Sequence, residues 1–178
     1  MQANSSDSAI ISDTSCLIAL TKINRLEILQ KLYKEIIVTT EIATEYQKPL
    51  PEWIIKRDVQ DKKLIAEIQR KGLDIGESSV IALAMETKNP LLILDDNAAR
   101  KFALKMGLAI TGTLGVISRA CDYGFIESYE DACNDLRKID NFRFSKKIQD
   151  EAKNKPLAEK ALSKDEKNAK HQKHSTRR

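Results

Sequence analysis

The chain has no histidine before His171, so none of its first 170 residues can act as an imidazole base or ligand. That excludes Ser-His-Asp triads, histidine-dependent ribonucleases and zinc hydrolases for its main body. The three cysteines, Cys16, Cys121 and Cys133, are odd in number and lack C-x-x-C spacing. They suggest neither a disulfide framework nor a zinc knuckle, and buried thiols are expected. Neither G-x-G-x-x-G nor G-x-x-x-x-G-K-[ST] occurs, so a nucleotide-binding enzyme lacks its phosphate loop. No apolar run reaches the ~18 residues of a membrane span, and the start, MQANSSDSAIISD, lacks the basic head and apolar core of a signal peptide. The expectation is a cytoplasmic protein without a membrane partner.

What is present fits one globular unit. A chain of 178 residues with a hydrophobic fraction of 42% is argued against as disordered by composition. A single domain of this size buries roughly 70% of its unfolded surface. The net charge of +4 is unevenly spread. Residues 153–178 hold nine Lys or Arg against three Asp or Glu; subtracting these from the totals of 30 and 26 leaves 21 basic and 23 acidic groups in residues 1–152. The division is therefore a slightly acidic folded domain over 1–152 and a basic tail over 153–178, expected to be a disordered, solvated extension with some attraction for nucleic-acid phosphates. His171 and His174 lie in that tail as an H-x-x-H pair without further ligands, which does not make a metal site.

Short apolar runs alternate with amphipathic stretches along the body. β-type runs are read at residues 9–12, 36–38, 91–94 and 108–111. Helical patterns are read at 16–33 as one or two helices, at 41–48 behind a Thr39-Thr40 cap, at 62–70, at 77–88, at 97–106, at 114–123 and over 128–152. Trp53 to Val59 forms only a weak apolar patch, and Gly72 and Gly76 punctuate the approach to the helix after them. Strands apolar on both faces and separated by helices predict an α/β fold, a mostly parallel sheet of four to five strands between two helical layers. In such sheets ligands bind beyond the carboxyl ends of the strands, at a topological switch point.

Acids collect at positions that the pattern puts near that edge. Asp13 follows the first strand, Asp95 and Asp96 follow the run at 91–94, Glu77 opens a helix, and Glu45 sits on the helix after the second strand. Each has an ordinary reading as a helix cap, a first-turn acid or a solvated charge. A joint site is the sharper reading. Four carboxylates within about 5 Å of one another would repel by ~3 kcal/mol per pair at an effective dielectric of 20. A divalent cation relieves that conflict, and hard carboxylate oxygens suit Mg2+ or Mn2+. Thr14, Ser15 and Thr113 are helix-start hydroxyls near the same edge, candidates for contacting substrate phosphate. Arg100, four residues after Asp96, is expected to pair with it along the helix. A haloacid-dehalogenase-type site would need an aspartate at position 15, where this chain has serine.

Three strings in order, IISDTSCLIAL, GESSVIALA and LLILDDNAARKFALKMGLAITGTLGVISRA, resemble the PIN domain, in particular its small prokaryotic branch related to VapC toxins. The resemblance spans residues 9–126 and implies an α/β/α sandwich and a Mg2+- or Mn2+-dependent endoribonuclease. It further implies the toxin of a toxin–antitoxin pair, with RNA as substrate, an antitoxin as partner and a homodimer as a common state. Carried over by position, Asp13, Glu45, Glu77 and either Asp95 or Asp96 are the catalytic acids. Asp13, Glu77 and Asp95 or Asp96 are the metal ligands, with one ion or two left open. The competing expectation is a PIN-like module that binds RNA or protein without cutting.

Overall fold

The architecture is that of a computed structural model, which describes residues 8–140 and 142–154. Five short strands form one sheet: β1 (Ile10–Ser12), β2 (Ile36–Val38), β3 (Ile54–Lys56), β4 (Leu91–Ile93) and β5 (Ala109–Thr111). Every pairing is parallel and the spatial order is β3-β2-β1-β4-β5. β1 and β2 are buried on both faces, and β4 is buried except at its first residue, which is why their sequences run apolar without alternation. The edge strand β3 exposes Ile55 and Lys56, so its periodicity was weak and only its pairing with β2 defines it as a strand.

Nine helices among the described residues cover the sheet. They are α1 (Thr14–Lys22), α2 (Glu27–Tyr33), α3 (Thr40–Tyr46), α4 (Lys62–Gln69), α5 (Ile75–Met85), α6 (Asn97–Lys105), α7 (Thr113–Asp122), α8 (Tyr129–Arg137) and α9 (Lys146–Asn154). α5 packs over β1 and β4 with α3, α4 and α6 around it, while α7 gathers α1, α2, α8 and α9. α5 carries buried residues on every face from Gly76 to Ala84, as a central helix must. The helical region over 16–33 is two helices, parted where Asn24 takes a left-handed φ of 53°.

Three expectations are refined. The stretch over 128–152 is α8 and α9 with a connection carrying Phe142 and Phe144, whose alternation breaks the helical period. α9 continues to Asn154, two residues past the expected boundary, and residues 155–178, which hold the rest of the basic tail, lie outside the described residues. Gly76 lies inside the first turn of α5 rather than ahead of it. All three cysteines are free; Cys16 and Cys133 are buried and Cys121 is half-buried. Among the described residues no helix is long and apolar enough to cross a membrane.

Candidate active site

From β1 the chain builds outward through β2 and β3, then returns to the opposite side of β1 to lay down β4 and β5. β1 and β4 are therefore neighbours whose onward connections diverge, and a crevice opens beyond their carboxyl ends. Ser12 pairs with Ile93, which brings the residues that follow β1 and β4 together at that edge.

Asp13 spans the two strands. Its Oδ1 accepts the Cys16 N–H at 3.0 Å, capping α1, and its Oδ2 accepts the Asp95 N–H at 3.1 Å. The residue is only 5% exposed. Burial, and then the charge of Asp95 and more weakly that of Glu77, push its carboxyl up to about 8 despite the two N–H donors.

Asp95 is held as firmly. Its Oδ1 accepts the Thr113 N–H at 2.8 Å and its Oδ2 accepts the Thr113 hydroxyl. Burial raises its carboxyl above the usual range, against the Thr113 hydrogen bonds and the nearby Arg100 charge. Asp96 is different: it is exposed, and its Oδ1 caps α6 by accepting the Ala98 and Ala99 N–H groups at 2.7 and 2.9 Å. Asp95 is thus the member of the pair hydrogen-bonded into the β1–β4 crevice with Asp13.

Glu77 is the third residue of α5. Its carboxylate accepts the Asp74 N–H at 3.2 Å while Asp74 accepts the Glu77 N–H at 2.7 Å, a reciprocal cap. Burial first, then Asp74, Asp96 and Glu45 raise its carboxyl. Glu45 is exposed, yet its Oε2 accepts the Thr14 hydroxyl at 2.8 Å and a Cβ on Gly76 would lie 2.9 Å from the same oxygen. Only glycine lets α5 approach that carboxylate so closely. The five acids are electrostatic neighbours, linked as Asp95 to Asp13, Asp13 to Glu77, and Glu77 to both Asp96 and Glu45.

The hydroxyl candidates divide. Thr14 and Thr113 spend theirs on Glu45 and Asp95, whereas Ser15 is exposed and lines the same groove as Asp95. The expected Asp96–Arg100 ion pair is not formed. Arg100 instead turns its Nη1 to the carbonyls of Leu94 and Thr111, at 2.7 and 2.9 Å, clasping the ends of β4 and β5. Sequence reasoning also missed Gly112. A Cβ there would lie 2.9 Å from Asp95 Oδ1 and 3.1 Å from Arg100 Nη1. Its available signal was a glycine between the last strand and a helix-start threonine.

The donor set suits a hard divalent cation: oxygen ligands only, with burial raising Asp13, Glu77 and Asp95 and neighbouring carboxylates adding to it at Asp13 and Glu77. Asp13 and Asp95 retain lone pairs beyond their N–H and O–H partners. Among the described residues no three acidic, histidine or cysteine side chains stand close enough to form a ready-made ligand shell. The cluster fits the ion in chemistry, with Glu45 and Glu77 long enough to adjust.

The comparisons with known proteins add the family. No curated protein and no solved structure matches the chain. A family model described as the PIN domain matches residues 9–156, which include all five acids and every strand. PIN domains are generally nucleases and typically bind a divalent metal. With the parallel five-stranded sheet and the acids at its switch point in place, that match over most of its length means the chain belongs to the PIN-domain family.

Proposed function

We propose that this protein is a Mg2+- or Mn2+-dependent endoribonuclease in which Asp13 and Asp95 are the principal metal ligands, assisted by Glu77, with Glu45 and Asp96 completing the acidic rim. The observation that carries the reading is the Asp13–Asp95 pair at the β1–β4 switch point, Asp13 buried and Asp95 half-buried, where desolvation raises both carboxyls and the charge of Asp95 raises that of Asp13 further. Such a pair is costly to keep charged unless a cation shares it. When bound, the ion supplies Lewis acidity and a lowered pKa for attacking water. The chain's own contributions are distinct. The Cys16 and Asp95 N–H groups fix the Asp13 carboxylate, and Thr113 fixes that of Asp95. Ser15, exposed on the first turn of α1, is placed to hydrogen-bond a phosphate oxygen.

The resemblance of its motifs to the VapC-related branch supports a role as the toxin of a toxin–antitoxin pair, acting on cytoplasmic RNA, countered by an antitoxin protein and working as a homodimer. A second reading draws on the lack of a ready-made ligand shell among the described residues: a module that binds RNA or protein without cutting. Purified protein incubated with a mixed RNA pool and Mg2+, Mn2+ or EDTA separates the two. The nuclease reading expects metal-dependent cutting and a loss of at least about a hundredfold in Asp13→Asn. Equal cutting by both proteins, or none by either, would overturn it.

A further inference from the structure

A groove of about 680 Å³ opens from the acid site and runs between α6, α7 and α9 along β5, the edge strand. Ser15 and Asp95 line one end of it. Leu104 of α6 and Ile148 of α9 stand on its walls and are 59% and 46% exposed. Apolar surface left in water inside a concave feature marks a ligand site more often than apolar surface scattered over a convex one. Phe142 and Phe144, half-buried and edge to face with ring centres 5.9 Å apart, line it from the α8–α9 connection, with the Arg137 guanidinium over the Phe144 ring at 4.8 Å. Between them Arg143 is exposed and has no ion pair among the described residues.

The charges inside the groove select the part of a nucleotide that it suits. Arg100 gives its Nη1 to two strand-end carbonyls, and beyond the site its charge and that of Arg143 are balanced by Asp122 and Glu151. With no excess of positive charge the interior does not favour a phosphate, and its two carboxylates accept N–H donors from the edge of a base. Apolar and aromatic walls offer a base its stacking surface, and the exposed guanidinium of Arg143 can meet the backbone. A paired base, stacked in its helix, cannot enter. We propose that this groove is a subsite for one unpaired nucleobase of the RNA strand, next to the phosphodiester held at Asp13 and Asp95. The proposal rests on the ribonuclease reading for the position of that phosphodiester.

The test uses the full chain, with Leu104→Glu and Ile148→Glu as groove variants; both side chains are exposed, so the fold tolerates the change. Met85→Glu, at a position 46% exposed and outside the groove, controls for the added negative charge. Binding is measured on the Asp13→Asn background by fluorescence anisotropy, with a labelled single-stranded RNA and with the same sequence closed into a duplex. Cleavage is measured with Asp13 intact. The expected result is single-strand binding weakened about tenfold or more in both groove variants and unchanged in Met85→Glu, with duplex binding unaffected. KM should rise by the same factor while kcat stays within about threefold. Groove variants that bind single strands as tightly as their parent, or a Met85→Glu loss of equal size, would overturn the proposal. The two readings fail separately. A wild type that never cleaves, with single-strand binding still lost in the groove variants, removes the nuclease and keeps the subsite. Normal cleavage with unchanged KM in both groove variants removes the subsite and keeps the nuclease.

Discussion

Asp13 does two jobs with one carboxylate: it caps α1 through Cys16 N–H and ties β1 to β4 through Asp95 N–H. A capping reading and a site reading of this residue were both available from the sequence, and they turn out to be compatible. Thr113 shows the same economy, giving its N–H and its hydroxyl to the two oxygens of Asp95. Thr113→Val keeps the N–H and the shape but removes the hydroxyl. Residues that orient a metal-binding carboxylate typically matter by 10–100-fold in affinity, so Mn2+ binding by calorimetry is expected to weaken by about tenfold in Thr113→Val and to recover in Thr113→Ser. An unchanged affinity in the valine variant would show that the backbone N–H alone positions Asp95.

At the scale of elements, legibility followed burial. β1, β2 and β4 were readable because a strand covered on both faces by helices has to be apolar throughout. β3 was not, since its only full burial is at Ile54 and its strand character comes from a partner strand far away in sequence. The break between α8 and α9 was missed because charged residues on both sides continue a helical composition through it. The β5–α7 junction illustrates a further gap, for sequence shows a glycine there but not what crowds it. Gly112 has an extended backbone that any residue can adopt, so its restriction is one of space. Gly112→Ala is expected to cost about 1–3 kcal/mol in urea denaturation, because the new methyl must displace Asp95, Arg100 or the Leu94 carbonyl. Metal-stimulated cleavage should fall with it, and an alanine variant as stable as the parent would mean that those groups move freely.

Across the whole molecule the acid cluster makes stability depend on pH and metal together. An unfolded Asp13 carboxyl releases its proton near 3.8, and the folded one holds it up to about 8. Between those values the folded state binds more protons than the unfolded state, so metal-free stability falls as pH rises through that window. Asp95 and Glu77, raised in the same direction, add to the slope. Melting temperatures in EDTA are therefore expected to be higher at pH 5 than at pH 8, with Mg2+ or Mn2+ restoring more at pH 8. At a metal concentration 100 times its Kd the ion would stabilise the fold by about 2.7 kcal/mol. A flat profile, or one that rises with pH in EDTA, would show that burial and its acidic neighbours do not raise the Asp13 carboxyl.

By itself the sequence determined the parallel α/β class, the candidate acids and the absence of imidazole from its first 170 residues, because hydrophobic period and residue type are local properties. It could not choose between Asp95 and Asp96, for adjacent acids differ only in which way the chain turns after β4. Tertiary structure gives the two different surroundings, Asp96 the N–H groups of Ala98 and Ala99, and Asp95 the N–H and hydroxyl of Thr113. It also redirected Arg100 from its neighbour on the helix to two strand-end carbonyls, and brought Glu45 within hydrogen-bonding reach of Thr14 across 31 residues. The Asp96 cap is local, but the Thr113, Thr111 and Thr14 contacts join residues 18, 11 and 31 positions apart, and only the pairing of β4 with β5 and the packing of α1 on α3 bring them together.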